Sequence, residues 1–247
     1  MALERFYEIQ ARYFRSTGNS RKDSMMRIFQ QIIMLLRISA APDTVDEYDG
    51  GVPCKPQKII QMIRRWENDY VAVGVRHILT LNAYKRAIQD ALPDRPLFCV
   101  TGRSTSLAKR RELKKTLKES KNGILLCTQQ SLPSSVDYEY VDKIIIPEFH
   151  YNNAGMSQFY HRFIRFTSTE RKDIYFVIYP ESLESNLMQM ILCKEKLNLY
   201  MKGQDTNLDE IYDRFGVDYN LLSFMMRREK DKEGHPHIRW GEQKFVA

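Results

Sequence analysis

Two arginines, Arg162 and Arg165, lie three residues apart shortly after an apolar stretch at 140–147 that is typical of a buried strand. We predict that the chain from Gln158 to Arg165 is helical, which would place both guanidinium groups on one face, because residues i and i+3 are neighbours on a helix. A planar, permanently charged guanidinium suits the charge that spreads over a phosphoryl group during its transfer. The pair therefore favours a role at a nucleotide; the alternative is a basic helix that only faces solvent.

A second segment concentrates positive charge. Its basic residues are Lys109, Arg110, Arg111, Lys114, Lys115, Lys118 and Lys121. Thr105 or Ser106 could cap a helix that begins here, and the amino end of such a helix can hold a backbone phosphate. The alternative is an amphipathic helix whose lysines are merely solvated. The whole chain carries 38 Lys and Arg against 31 Asp and Glu, which favours polyanionic partners without identifying one.

The elements that must position these residues alternate between short apolar runs and helical patterns, which is typical of parallel strands joined by crossover helices. The predicted strands are 70–75, 97–100, 123–127, 143–146 and 174–178, and the helices between them are 79–90, 107–120 and 156–166. The sequence thus predicts an α/β sheet. Its ligands should gather beyond the carboxyl ends of the strands, where Gly102, Thr128 and the segment before Gln158 fall.

The flanking segments are predicted to be mostly helical. The expected helices are 4–14, 22–38, 182–201 and 208–226. A polar linker at 16–20 joins the first two, and 40–56 reads as a flexible acidic loop. Residues 227–237 are so highly charged that we expect an exposed tail.

Several classes of protein fit the composition poorly. No apolar run approaches the roughly 18 residues that span a bilayer, and the first twelve residues lack a signal-peptide core, so we expect an intracellular protein without membrane contacts, in cytoplasm or nucleus. The four cysteines are widely scattered, which favours free thiols over disulfides or a zinc site. His235 and His237 lie in a charged segment without a nearby cysteine, so we predict no metal site.

Three motifs together resemble the second RecA-like lobe of superfamily 2 helicases, and in particular the Swi/Snf-type DNA translocases. Gln158, Arg162 and Arg165 match the family's Q-x-x-G-R-x-x-R pattern, with His161 in place of Gly. The preceding D-p-x-W-N-P motif is represented by Glu148, Tyr151 and Asn152, and residues 101–106 followed by two arginines resemble the family's G-S-T-S motif. The resemblance covers most of residues 27–203.

The resemblance implies a RecA-like parallel sheet flanked by helices, with extra N- and C-terminal helices. The implied divisions are 1–54, helices and acidic loop; 55–203, the second RecA-like lobe; and 204–247, a helix and charged tail. It also implies that Arg162 and Arg165 contact the γ-phosphate of ATP as arginine fingers, with Gln158 orienting them or the nucleotide. The residues expected to contact nucleic acid are Gly102, Thr105, Ser106, Lys109, Arg110, Arg111, Thr128, Gln129, Ser134 and Ser135.

The first helicase lobe is missing, because nothing in the chain reads G-x-x-x-x-G-K-[ST] and no acidic pair follows a buried strand. We therefore expect DNA and a first lobe as partners, ATP with Mg²⁺ held mainly by that lobe, and no ATPase activity of this chain alone. The first lobe could be a separate polypeptide, as in a split gene of a phage that infects a bacterium, or a part removed from a longer chain. The start at Met1 favours the separate polypeptide.

One departure from the family pattern lies in the fifth motif, at 125–137. The family has a glycine-rich turn there, whereas this chain has Pro133 and Ser135, which restrict the backbone. The hydroxyls of Ser134 and Ser135 can still donate to a phosphate. The departure favours an alternative function, a catalytically silent lobe that binds nucleic acid or regulates a partner.

Overall fold

The structure is a computed structural model that describes residues 18–45, 48, 50–51, 53–102, 106–132, 138–149, 153–164, 170–180, 182–189, 191, 228–230 and 236–238. Its chain divides into two compact units. The first comprises the chain up to Glu148 together with 161–177, and the second comprises 149–160 and the chain from 178 onward. The predicted divisions at 54 and 203 remain predictions.

The first unit is built on a five-stranded, entirely parallel sheet in the order β2-β3-β1-β4-β5. The strands are β1 (Val71–Val75), β2 (Leu97–Val100), β3 (Ile124–Thr128), β4 (Lys143–Ile146) and β5 (Asp173–Phe176). The α/β prediction is confirmed, and each predicted strand agrees to within two residues. All residues of β1 and β3 are buried, as expected of parallel strands covered on both faces, whereas β2 and β5 at the edges are mostly half-buried.

Five helices accompany the strands in the described chain. They are α1 (Gly18–Ala40), α2 (Cys54–Arg65), α3 (Ile78–Ala91), α4 (Leu107–Glu119) and α5 (Asn153–Tyr160). A 3-10 turn spans Pro42–Thr44, within the predicted acidic loop, and residues 183–189 are also helical. Because α1 begins at Gly18, the predicted linker at 16–20 is wrong in its second half. The predicted helices at 4–14 and 208–226 lie outside the described residues.

An apolar core cluster joins α2 and α3 to the sheet. Ile59 and Ile63 of α2 and Tyr84 of α3 are fully buried against β1, β3 and β4. Each such aliphatic side chain contributes about 1.5–3 kcal/mol by leaving water. The thiols of Cys99 and Cys127 lie within β2 and β3 and are free, as is the exposed Cys54; Cys193 lies outside the described residues.

The connection from α4 to β3 leaves little space. Lys121 has a φ of 66°, in the left-handed region. A Cβ added to Gly123 would come within 2.5 Å of side-chain atoms of Leu117 and Ser120. Only glycine fits at that position without a shift of its neighbours, so the carboxyl end of α4 is held close to the start of β3.

The second unit contains α5 and, near the end of the chain, an antiparallel pair of short strands, β6 (Arg228–Lys230) and β7 (Pro236–Ile238). The pair overlaps the segment 227–237 that we predicted to be an exposed tail, and its exposure remains a prediction. Of the helices that the structure describes, none is long and apolar enough to cross a membrane.

Candidate nucleotide and nucleic-acid site

The carboxyl ends of β2 and β3 are tied together by one serine. The hydroxyl of Ser131 lies 3.0 Å from the carbonyl oxygen of Val100 and 2.7 Å from that of Thr128. Thr128 ends β3 and is buried, and Gly102, which follows β2, is exposed. Since β2 and β3 are parallel neighbours, the structure places Gly102 and Thr128 at the same edge of the sheet, as predicted. We call it the carboxyl edge.

Gln129 ties together the two central strands at this edge. Its side-chain nitrogen Nε2 donates to the carbonyl oxygens of Gly74, in β1, and of Glu148, just after β4, at 3.0 and 2.6 Å. The residue is 7% exposed. Its amide hydrogens therefore donate to groups within the protein. The side-chain oxygen would have to make the contact with nucleic acid that the sequence predicts for Gln129.

A buried carboxylate occupies the amino end of α3. Glu148 is 1% exposed, and its Oε2 accepts from the backbone N–H groups of Arg76 and His77 at 2.7 and 3.2 Å, while Oε1 contacts Nδ1 of His77. The first N–H groups of a helix have no partner inside the helix, and the helix dipole favours negative charge there. The N-cap residue of α3, His77, makes no side-chain cap hydrogen bond. Glu148, which follows β4, therefore caps this helix instead.

A buried lysine completes this polar cluster. Lys55, in the first turn of α2, is 2% exposed and its Nζ donates to the carbonyl oxygen of Pro147 at 3.0 Å. Sequence reasoning missed Lys55 and His77 and recognised Glu148 only as a replacement for a family Asp. No local pattern marks these residues, because their partners are more than 70 residues away in the chain.

Arg162 is presented by a turn. The predicted helix to residue 166 is wrong, because α5 ends at Tyr160 and residues 161–163 form a turn. Tertiary contacts override the helical pattern: the backbone N–H of Tyr138 donates to the carbonyl oxygen of Arg162 at 3.1 Å, and the buried ring of Phe163 lies 6.2 Å from that of Tyr138. A helix face therefore does not present Arg162. The side chain of Arg162 is half-buried.

The structure does not test the other predicted contacts with nucleotide and nucleic acid. Gln158 is exposed on α5, in the second unit. Arg165, together with Thr105, Ser134 and Ser135, lies outside the described residues. Their predicted contacts remain predictions.

The amino end of α4 is capped as predicted by Ser106, whose Oγ accepts from the backbone N–H of Lys109 at 3.3 Å. Lys109 and Arg111 are exposed, whereas Arg110 is half-buried. Nη2 of Arg110 lies 3.4 Å from the carbonyl oxygens of both Thr101 and Gly102. The structure thus brings Gly102 together with the first turn of the basic helix.

Two tyrosines that sequence reasoning missed fix the other end of α4. The hydroxyl of Tyr140 donates to the carbonyl oxygen of Lys114 at 2.9 Å, and that of Tyr70 donates to the carbonyl oxygen of Lys118 at 2.5 Å. The two rings meet edge to face, with centroids 4.9 Å apart. Burial raises the pKa of Tyr140 above its usual range, which keeps its hydroxyl a donor at neutral pH.

The cations of the candidate site have no acidic partner among the residues that the structure describes. Within the described part of the chain, Lys109, Arg110, Arg111 and Arg162 form no ion pair with an acidic side chain. Among the same residues, no group of three or more His, Cys, Asp and Glu side chains is placed to hold a metal ion. The arrangement can therefore bind anions through guanidinium and ammonium groups, and through the capped amino end of α4.

Solved structures share this fold at low sequence identity. The C-terminal domain of the Sulfolobus solfataricus SWI2/SNF2 ATPase matches with a TM-score of 0.61 at 14% identity, over 92% of this chain and 92% of that one. The SWI2/SNF2 ATPase core of the same organism in complex with dsDNA gives 0.63 at 14% identity, over 86% of this chain and 46% of that one. The C-terminal part of the Fun30 ATPase domain gives 0.50 at 15% identity, over 70% and 58%.

The chain thus has the RecA-like fold of the C-terminal lobe of these ATPases, and the predicted fold is confirmed. It spans about half the length of the Sulfolobus core that carries DNA. No family model matches the sequence, and no curated protein matches it either.

Proposed function

We propose that this chain is the second motor lobe of an ATP-dependent DNA helicase or translocase, and that it acts with a first lobe that holds ATP and Mg²⁺. Arg162, with Arg165, would reach the γ-phosphate of that ATP as an arginine finger, and Gln158 would orient them or the nucleotide. The lobe would grip DNA through its backbone at the carboxyl edge and along the first turn of α4.

The observation that carries this proposal concerns the burial and the partners of Arg162. The residue is half-buried, its guanidinium has no acidic partner among the described residues, and its backbone carbonyl accepts a hydrogen bond from the N–H of Tyr138. A charge that is positioned but not neutralised is suited to stabilise an anion that arrives from outside. A fold shared with the C-terminal lobe of SWI2/SNF2 ATPases supports the choice of a nucleoside triphosphate as that anion.

The residues present fit one part of an ATP site. Arg162 can neutralise charge on the γ-phosphate, which is what a second lobe contributes across a cleft. Mg²⁺, when bound, neutralises charge between the β- and γ-phosphates. Its ligands would come from the first lobe, which carries the phosphate-binding loop and the acidic pair.

The test is capture of the tagged chain from its source, identification of a partner that contains a phosphate-binding loop, and measurement of DNA-stimulated ATP hydrolysis by the complex. Arg162→Ala should lower hydrolysis at least about 10³-fold, the range measured for arginine fingers. Arg171→Ala removes an exposed arginine of the same unit and serves as the matched control. Hydrolysis that survives Arg162→Ala would exclude the finger role.

The proposed DNA contacts have their own test. Each phosphate contact lowers the slope of log K against log salt by about 0.9 for duplex DNA, so Lys109→Gln with Arg111→Gln should make the slope shallower by about 2. Lys115→Gln with Lys118→Gln removes the same charge from the other end of α4 and should leave the slope nearly unchanged. Equal slopes for both pairs would show that α4 attracts DNA only through its total charge.

A second candidate function has its own support. Gln129 uses its amide hydrogens on main-chain carbonyls, and Pro133 and Ser135 replace glycines of the family's fifth motif. Both observations favour a catalytically silent lobe that binds nucleic acid or regulates a partner. Capture of the chain with nucleic acid, but without a partner that carries a phosphate-binding loop and without hydrolysis, would favour this function.

A further inference from the structure

Four polar side-chain atoms in the described part of the first unit are buried without a hydrogen-bond partner. Two of them, Oη of Tyr138 and Nε of Arg110, belong to residues in or near α4; the others are Nε of Arg37 and Oγ1 of Thr80. Tyr138 is fully buried. A buried polar group without a partner costs stability, and such groups are rare in native proteins. Nε of Arg110 is an N–H donor and Oη of Tyr138 accepts hydrogen bonds, so these two atoms are complementary.

The two groups are neighbours along α4. Tyr70 and Tyr140 donate to carbonyl oxygens one helical turn apart on this helix, at Lys118 and Lys114. The ring of Tyr138 lies 6.4 Å from that of Tyr140, and Arg110 precedes Lys114 by four residues, about 6 Å along the helix axis. Tyr138 therefore lies beside Tyr140, but it lacks the hydrogen bond to α4 that Tyr70 and Tyr140 make.

Electrostatics agree with this placement. Burial raises the pKa of Tyr138 to about 12, and Cys127 adds to the rise, whereas the positive charge of Arg110 opposes it. Arg110 is thus close enough for its charge to act on the Tyr138 hydroxyl, which stays protonated at neutral pH.

Tyr138 also contacts the turn that carries Arg162. Its backbone N–H donates to the Arg162 carbonyl oxygen at 3.1 Å, and its ring contacts Phe163. One residue therefore adjoins both the first turn of α4 and the candidate finger. The fifth motif, at 125–137, stands in the sequence between α4 and Arg162. It is also the motif in which this chain departs from the family pattern.

We propose that binding of duplex DNA to the first turn of α4 brings Nε of Arg110 into a hydrogen bond with Oη of Tyr138, and that Tyr138 thereby repositions the turn at Arg162. Tyr138 is a positioning residue in this scheme, and the scheme rests on the proposed function. Nη2 of Arg110 is held at 3.4 Å from two carbonyl oxygens, a long distance for a hydrogen bond, so little opposes a small movement of this side chain. Coupling of this kind is reciprocal between the two sites.

The test uses the full chain, labelled with ¹⁵N, and a 20-base-pair duplex DNA. The backbone amide signal of Arg162 and the Nε–H signal of Arg110 are followed by NMR as DNA is added, in the wild type and in Tyr138→Phe. We expect both signals to shift in the wild type. In Tyr138→Phe the Arg162 shift should be lost, while the DNA dissociation constant changes less than about twofold.

Stability separates a positioning role from a structural one. Tyr138→Phe removes a hydroxyl without a partner, so its midpoint of urea unfolding should be equal to or above that of the wild type. Tyr140→Phe is the matched control: it loses a hydrogen bond to Lys114, should unfold at lower urea, and should keep the Arg162 shift.

The outcomes distinguish this inference from the function on which it rests. If the wild type does not bind the duplex, the proposed function fails. If it binds and Arg162 shifts equally in Tyr138→Phe, the proposed function stands and the role of Tyr138 is overturned. If the wild type binds DNA and its Arg162 signal does not shift, the proposed coupling is overturned as well.

Discussion

At the amino edge of the sheet the guanidinium of Arg95 donates to three main-chain carbonyl oxygens, those of Ile63, Asp69 and Asn122, at 2.6–2.9 Å. The turn at Arg162 differs, because its guanidinium has no acidic partner among the described residues. Arg95 joins the segments that enter β1, β2 and β3, so its charge holds the fold. The charge of Arg162 has no such structural partner among the described residues, as the proposed finger role requires.

The same contrast extends to other charged residues. At the amino edge Lys143 pairs with Asp173, and Lys172 pairs with Asp142, each at 2.6 Å. In the first turn of α4 the exposed Lys109 and Arg111 form no ion pair with a described residue. Positive charge that stabilises the protein and positive charge that can bind an anion are thus separated within one domain.

Glu148 gives the largest expected effect, since its buried carboxylate caps α3 at the carboxyl edge. Glu148→Ala leaves the N–H groups of Arg76 and His77 without their acceptor and should lower the free energy of unfolding by about 3 kcal/mol. Urea denaturation measures the change. Glu148→Gln keeps an oxygen acceptor and should cost about 1 kcal/mol. Equal losses for the two variants would mean that the negative charge, rather than the hydrogen bonds, caps α3.

Arg95 and Arg162 test the contrast directly. Arg95→Ala leaves three carbonyl oxygens without their donor and should lower the free energy of unfolding by about 2 kcal/mol, whereas Arg162→Ala should change it by less than about 0.5 kcal/mol. Both values come from urea denaturation of the isolated chain. A loss at Arg162 as large as that at Arg95 would assign Arg162 to structure and break the comparison.

The smallest expected effect is a dependence of stability on pH at the amino edge. A hydrogen bond from Lys143 lowers the pKa of Asp173 below its usual 3.8, and the same bond raises the pKa of Lys143 above its usual 10.5. The ionised pair therefore stabilises the fold between these two values, and that contribution is lost as pH falls below about 3.8 or rises above about 10.5.

Asp173→Asn should accordingly be less stable than the wild type at pH 7, and the difference should shrink as pH falls below about 3.8, as measured by thermal unfolding across pH. A difference that is independent of pH would show that the carboxylate charge contributes nothing there.

The sequence was sufficient for the sheet, because β1, β3 and β4 are short apolar runs separated by helical patterns, and each signal is local. It also limited the cap of α4 to Thr105 or Ser106, because a cap depends on neighbouring residues, and the structure identifies Ser106 as a cap. The end of α5 was not predictable, since it depends on a hydrogen bond from Tyr138 to Arg162 across 24 residues. The roles of Glu148 and Gln129 likewise depend on how the strands align, and composition carries no information about that alignment.

The central position of β1 has a consequence for synthesis of the protein. This strand pairs with β3 on one side and β4 on the other, through Val71↔Ile124 and Val71↔Lys143. At about 5–20 residues per second, its first partner is translated about 3–10 s later. A ribosome therefore carries an unpaired, fully apolar strand during that time, and we expect newly made chains to depend on chaperones more than the finished domain does.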